Sequence, residues 1–134
     1  MLREQGGGWS RNERSRLPKT RGKFPILTKM AELIVEWDEN KNAINRRIHH
    51  ISFETARLVF ADPNRIERLD NSLSNSSKET RWQTLGLVGK VLFVVYTERD
   101  ENIRLISARL ANKKERSSYY GIGNNKSSDW AKTN

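Results

Sequence analysis

The stretch Val91–Arg109, VLFVVYTERDENIRLISAR, decides the fold. Seven strand-favouring residues, Val91–Thr97, run into the polar segment Glu98-Arg99-Asp100-Glu101-Asn102, and Ile103–Ala108 returns as a second strand. A short polar segment between two such runs is the signature of a β-hairpin. Arg99 stands at the exit of the first strand and Arg109 at the exit of the second. Thr97, Glu98, Arg99, Ser107 and Arg109 therefore gather near strand ends, where side chains are held firmly and still reach solvent. Two readings are open at this point: solvated rim charges, or a set that grips an anion.

Upstream, Leu33–Trp37 reads as a short strand with Leu33, Val35 and Trp37 on one side. Asp38 has the chemistry of an N-cap for a helix over Glu39–His49. Its apolar stripe is Ala43, Ile44 and Ile48, with Lys41, Asn42, Asn45 and Arg46 facing outward. Ser52 caps a second helix through about Phe60, burying Phe53, Ala56, Val59 and Phe60, and Asp62-Pro63 stops it. Residues 64–79 read as a polar loop. Arg81–Leu87 resumes the sheet and turns at Val88-Gly89-Lys90 into the hairpin. Asn112 then caps a last helix, Lys113–Tyr120, which Gly121 ends. The order β-α-α-β-β-β-α predicts an α+β domain: a small antiparallel β-meander with helices packed on one face.

Of the 134 residues, 1–29 show no periodicity and are interrupted by Gly6-Gly7-Gly8, Pro18, Gly22 and Pro25. They read as a disordered basic extension. Residues 30–120 are the expected domain, and 121–134 a flexible tail. The abrupt change after residue 29 suggests that Met30 is the working start, with the leading segment arising from an upstream start choice; peptides from 1–29 in the endogenous protein would argue against it. Net charge is +9, but residues 1–29 carry +6 of it, with eight Lys/Arg and two acids. Residues 30–120 hold fifteen Lys/Arg against thirteen acids. Bulk basicity therefore says little about the domain, and individual arginines carry the case for a polyanionic partner.

Zero cysteines exclude a disulfide framework and a thiolate metal site. The longest apolar run, Val91–Tyr96, is too short to cross a bilayer, and no secretory leader is visible. A cytoplasmic protein is the expectation. His49 and His50, the only histidines, are adjacent and cannot both face one ion from a regular helix. No glycine-rich nucleotide loop or nucleophile elbow is present, so no cofactor or metal is expected.

What remains is a set of arginines with a few proton carriers, and RNA cleavage needs little more. A base frees the 2′-hydroxyl to attack the adjacent phosphate, an acid protonates the departing 5′-oxygen, and guanidinium groups stabilise the phosphorane. Arginine suits that last role because its planar fork grips phosphate oxygens in pairs and stays charged. Only RNA carries the 2′-hydroxyl. His49 is the natural proton carrier, although a histidine at a helix end is equally explained by the helix dipole. Glu79 and Glu98 lie close to Arg81 and Arg99 and read first as orienting partners. Trp82 and Tyr96 read as core.

The segment Glu36-Trp37-Asp38-Glu39-Asn40-Lys41-Asn42-Ala43-Ile44-Asn45, followed by His49, Ser52-Phe53-Glu54-Thr55-Ala56 and Val59-Phe60-Ala61-Asp62-Pro63, resembles the BrnT family of bacterial toxins. Glu79-Thr80-Arg81-Trp82, Thr97-Glu98-Arg99, Ile106-Ser107-Ala108-Arg109, Glu115-Arg116 and Tyr119 continue the match in order. The resemblance implies the toxin of a type II toxin–antitoxin pair: a metal-independent endoribonuclease of RelE-like fold, neutralised by a BrnA-like antitoxin. It implies promoter DNA binding only through the complex, with the antitoxin supplying the DNA-binding element. The functional positions it carries over are His49, Arg81, Arg99 and Arg109 as catalytic residues, with Glu79, Thr97 and Ser107 in support at the substrate.

This chain departs from the family at one point. The family reads Asn-x-x-Lys-His-Gly before the second helix, and this chain has Asn45-Arg46-Arg47-Ile48-His49-His50. A cation is lost at Ile48, and His50 puts a side chain where a left-handed turn is wanted, at a cost of about 1 kcal/mol. The alternative reading is accordingly a degenerate, non-catalytic module that binds nucleic acid or a partner on the same fold. A DNA-binding regulator acting alone is weaker, since no basic recognition helix is visible.

Overall fold

A computed structural model of the protein describes residues 21–27, 32–71, 79–121 and 129–133. Its elements are β1 (Arg21–Leu27), β2 (Glu32–Asp38), α1 (Glu39–His49), α2 (Phe53–Ala56) running on as a 3-10 turn over Arg57–Ala61, β3 (Ile66–Leu69), β4 (Arg81–Val88), β5 (Lys90–Arg99), β6 (Asn102–Leu110), α3 (Lys113–Tyr120) and β7 (Ala131–Lys132). The strands form one sheet in the order β1-β2-β6-β5-β4-β3-β7. All neighbours are antiparallel except β2 and β6, which run parallel through Val35↔Ile103 and Glu36↔Arg104. The α+β class holds. The sheet is mixed and wider than the expected meander.

The predicted hairpin is β5–β6, closed where Arg99 pairs with Asn102. Asp100 and Glu101 both take positive φ, 54° and 69°, which matches the right-handed strand twist in a two-residue connection. Because successive side chains alternate, β5 feeds two cores. Leu92, Val94 and Tyr96 join Val35, Trp37, Phe53, Val59 and Phe60 under α1 and α2, whereas Val91, Phe93 and Val95 join Leu85, Ala111 and Tyr119 under α3. The helices therefore cover both faces, which corrects the one-face expectation. Reversal of chain direction at Ala111-Asn112 takes α3 to the far side.

Capping follows the sequence. Asp38 accepts the Asn40 amide at 2.7 Å, Ser52 accepts that of Thr55, and Asn112 forms a full capping box with Glu115. Gly121 ends α3 in the left-handed region at φ 68°.

The buried side of α1 is the reverse of its apolar stripe. Asn42 is 0% and Asn45 5% exposed, while Ile44 is 46% and Ile48 57% exposed. Hydrogen bonding overrides hydropathy here. Asn45 donates to the carbonyls of Ile51 and Ala108, both at 2.8 Å, and accepts the Ala108 amide at 3.0 Å. Asn42 accepts the Phe53 amide at 2.8 Å and donates to Glu39 and Glu54. These asparagines satisfy backbone groups of Ala108 in β6 and of Ile51 and Phe53 at the start of α2 that would otherwise be buried unpaired beneath α1.

Three further expectations are corrected. β1 lies within residues read as structureless, and a proline such as Pro25 is tolerated because β1 is an edge strand. β3 occupies part of the expected polar loop, paired with β4 in register from Ile66↔Leu85 to Leu69↔Trp82. Residues 129–133 are docked rather than free: Asp129 pairs with Arg68 at 3.1 Å, Arg68 lies 4.1 Å from the Trp130 ring centroid, and β7 pairs with β3. Residues 1–20, 28–31 (including Met30), 72–78, 122–128 and 134 lie outside the described residues, together with the readings that fall on them.

Candidate functional site

α3 covers only the half of its sheet face that carries Leu85, Val91 and Phe93. The other half holds a row of side chains drawn from four strands. Arg81 of β4 stands opposite Thr97 of β5, Thr97 opposite Arg104 of β6, and Arg104 opposite Glu36 of β2. Paired positions share a face, so these groups project together. Arg99, two residues beyond Thr97, lies on the same face at the hairpin end.

Charge along this row is unevenly matched. Arg99 donates to Glu79 at 2.7 Å, and that hydrogen bond outweighs partial burial to hold the Glu79 carboxyl below its ordinary range. The Arg81 and Arg104 charges act in the same direction. Arg99 is in turn pushed above its ordinary value, first by the Glu79 hydrogen bond. Glu36 is 3% exposed, and its carboxylate lies 3.6 Å from Arg104 Nη1, beyond hydrogen-bonding reach. That Nη1 is buried without a hydrogen-bond partner, and so is Arg81 Nε. Thr97 is buried, and its hydroxyl donates to the Thr80 carbonyl at 2.6 Å. This anchors the backbone between Glu79 and Arg81.

Arg109 occupies the same face further along, opposite Phe93, four positions from Thr97 and so about 13 Å away along the strand. Its guanidinium lies 3.9 Å from the Phe93 ring centroid and holds Glu115 with both prongs at 2.9 Å. Burial pushes the Glu115 carboxyl up, but the Arg109 hydrogen bonds and the Asn112 amide outweigh it, and the net shift is downward. Arg109 thus ties β6 to α3. Ser107 pairs with Val95, between the two groups, next to the irregularity at Val95/Tyr96.

His49 is elsewhere. It is exposed at the end of α1, across the sheet from the arginines. His50 takes φ 62° as the left-handed cap, its amide bonded to the Arg46 carbonyl at 2.9 Å. It borders a groove of 530 Å³ lined by the cationic Arg46 and Lys90 together with Ile51, Leu92 and Leu110. Among the described residues, no three His, Cys, Asp or Glu side chains gather as metal ligands.

The structure therefore brings together Glu79, Arg81, Thr97 and Arg99, places Ser107 between them and Arg109 on the same face, and leaves His49 across the sheet. It adds Arg104 and Glu36, which the sequence reading passed over. Alternation could have found both: Ile103 and Leu105 point into one core, and so do Val35 and Trp37, which turns Arg104 and Glu36 to the arginine face.

The family described as ribonuclease toxin, BrnT, of type II toxin–antitoxin system matches residues 37–115. No curated protein matches the chain. Among solved structures, the 1.1 Å crystal structure of the Brucella abortus ribonuclease toxin, BrnT, is similar at 17% sequence identity, covering 57% of this chain and 94% of that one with a TM-score of 0.42. No helix among the described residues is long and apolar enough to cross a membrane. The family match takes in more than half of the chain, from Trp37 through Glu115, and the chain belongs to the BrnT family of ribonuclease toxins of type II toxin–antitoxin systems.

Proposed function

We propose that this toxin is a metal-independent endoribonuclease that cleaves RNA by attack of a 2′-hydroxyl on the adjacent phosphate. The O2′–P bond forms and the P–O5′ bond breaks, with solvent water taking the hydroxyl proton and protonating the departing 5′-oxygen. The observation that carries this reading is the cluster of Arg81, Arg99 and Arg104 on the half of the face that α3 leaves uncovered, in which Arg81 Nε and Arg104 Nη1 make no hydrogen bond within the fold. Fixed donors aimed at developing phosphorane charge are the largest contribution such a site can make. Glu79, held ionised by Arg99, acts as an orienting counter-charge. His49 stands on the opposite face, and Arg109 and Ser107 support the sheet and α3 rather than the reacting phosphate.

The neutralising partner in this proposal is a BrnA-like antitoxin acting in the cytoplasm, covering the arginine face and contributing the contacts to promoter DNA. Incubating purified, antitoxin-free protein with RNA in EDTA tests the chemistry. Wild type is expected to cleave, and Arg81→Ala to lose roughly a hundredfold or more. RNA left intact by the folded wild type would overturn the reading. His49→Gln is expected to cost less than the roughly hundredfold that loss of a general acid or base brings.

A second reading, a binding module without catalysis, draws on His50 at its positive φ and on the basic groove beside it. It predicts a stable antitoxin complex with no growth arrest on induction.

A further inference from the structure

We propose that Arg81 and Arg104 form a two-armed clamp for a single phosphate of the bound RNA strand, centred over Thr97, with Glu36 as the buried anchor of the Arg104 arm. The inference rests on reading this face as RNA-binding. It deepens that reading by naming Arg104 and by assigning both arms to one phosphate.

Register supplies the geometry. Arg81, Thr97 and Arg104 lie in one row across three adjacent strands. Neighbouring strands are about 4.8 Å apart, so the two arginine backbones stand about 10 Å from one another with a small buried threonine between them. Two long guanidinium side chains rising from that spacing close on a group the size of one phosphate. Energetics supplies the ligand. A buried N–H without a partner carries a desolvation cost, and native proteins rarely leave one unexplained. Arg65 Nε is in that condition elsewhere in the fold, but two such atoms stand in this one row, Arg81 Nε and Arg104 Nη1, the latter with Glu36 at 3.6 Å as an ion-pair partner without a hydrogen bond. Both atoms are closed to solvent in the free fold, so a phosphate takes up these donors as the two guanidinium groups turn toward it.

Glu36 explains why Arg104 stays in place. Its carboxylate is buried 3.6 Å from Nη1, near enough to attract the guanidinium and too far to occupy that donor. By contrast, Arg99 is already hydrogen-bonded to Glu79 at the exposed end of the row, which makes it a flanking contact rather than an arm.

The test uses the full chain and a short fluorescein-labelled 2′-O-methyl oligoribonucleotide, which binds but lacks the attacking hydroxyl. Arg81→Ala and Arg104→Ala are each expected to weaken binding about tenfold or more, the loss of a charged hydrogen bond. The double variant should lose little beyond the weaker-binding single, because both arms hold the same group. The slope of log affinity against log salt should fall by about 0.7 in the double variant, the value for one phosphate on a single strand. Arg104→Lys should keep the slope and lose part of the affinity, and Lys41→Ala on α1 should change neither. Wild-type affinity in Arg104→Ala would overturn the clamp, and so would additive losses with a slope change of about 1.4, which describe two separate phosphates.

If the arginine variants do not fold, wild-type protein decides: inorganic phosphate should raise its melting temperature above chloride at matched ionic strength, and no rise overturns the proposal. Cleavage of unmodified RNA, followed in parallel, separates the two readings. Clamp behaviour without cleavage removes the ribonuclease assignment and supports the clamp. Cleavage indifferent to Arg104 removes the clamp alone.

Discussion

Arg109 and Glu115 meet through two parallel hydrogen bonds of 2.9 Å, joining the end of β6 to the first turn of α3. Glu115 also accepts the Asn112 amide, so one carboxylate serves the interstrand tie and the capping box together. Arg109→Ala and Glu115→Gln are each expected to destabilise the fold by about 1–3 kcal/mol in chemical denaturation. The pH dependence has a definite sign. The Glu115 carboxyl is depressed in the folded state, so its contribution is fully present above its ordinary value of 4.5 and is lost as pH falls from there through the lower folded value. Acid unfolding of Glu115→Gln should show less of this loss below pH 4.5 than wild type.

Asn45 should be less replaceable than any surface residue of α1. Asn45→Ala strands the Ala108 amide and two carbonyls, and a loss of about 3 kcal/mol or more is expected. Asn45→Leu, despite its apolar side chain, should not restore stability. Denaturant midpoints for the two variants check this, and a stable leucine variant would contradict the account.

His50→Gly is expected to stabilise the protein by about 1 kcal/mol, since glycine accepts the left-handed backbone that His50 adopts at φ 62°. A measured loss of stability would mean that the imidazole makes a compensating contact.

Gly86 lies against the 3-10 turn after α2, and a Cβ there would stand 2.6 Å from Val59 Cβ. Both atoms are close to the backbone and have little room to yield. Gly86→Ala should therefore cost about 1–3 kcal/mol by overpacking, and Gly86→Ala with Val59→Ala should recover part of that loss. Gly89, with nothing within 4 Å, is sensitive only through its positive φ of 72°.

Glu79→Gln is expected to tighten RNA binding while freeing Arg99. The carboxylate now competes with phosphate for that guanidinium, at 2.7 Å. Anisotropy titrations at low salt should show higher affinity and a steeper salt dependence. Weaker binding would make Glu79 a positioning group whose geometry matters more than its charge.

Local signals were legible wherever the partner lies close in sequence. Asp38, Ser52, Asn112 and Gly121 act on amides and carbonyls a few residues away, so each cap and stop could be read directly. The β5–β6 hairpin was legible for the same reason. Hydropathy misled at α1 because Ala108, the partner of Asn45, lies 63 residues away, and nothing near α1 announces that its polar side must satisfy a strand. β1, β3 and β7 are short or interrupted and gain order only by pairing with strands already in the sheet, so their own residues barely mark them.

By itself the sequence determined the α+β class, the BrnT resemblance and the β5–β6 hairpin, and it offered Arg81 and Arg99 as candidates for the site; the structure added the second core that β5 feeds. The tertiary structure decided which arginines stand together. Strand register placed Arg104 and Glu36 beside Arg81 and Thr97, carried Arg109 away to Glu115, and left His49 across the sheet. The reason is physical. Alternation gives each side chain its face, but neighbours across a sheet are fixed by hydrogen-bond pairing between strands that lie far apart in the chain.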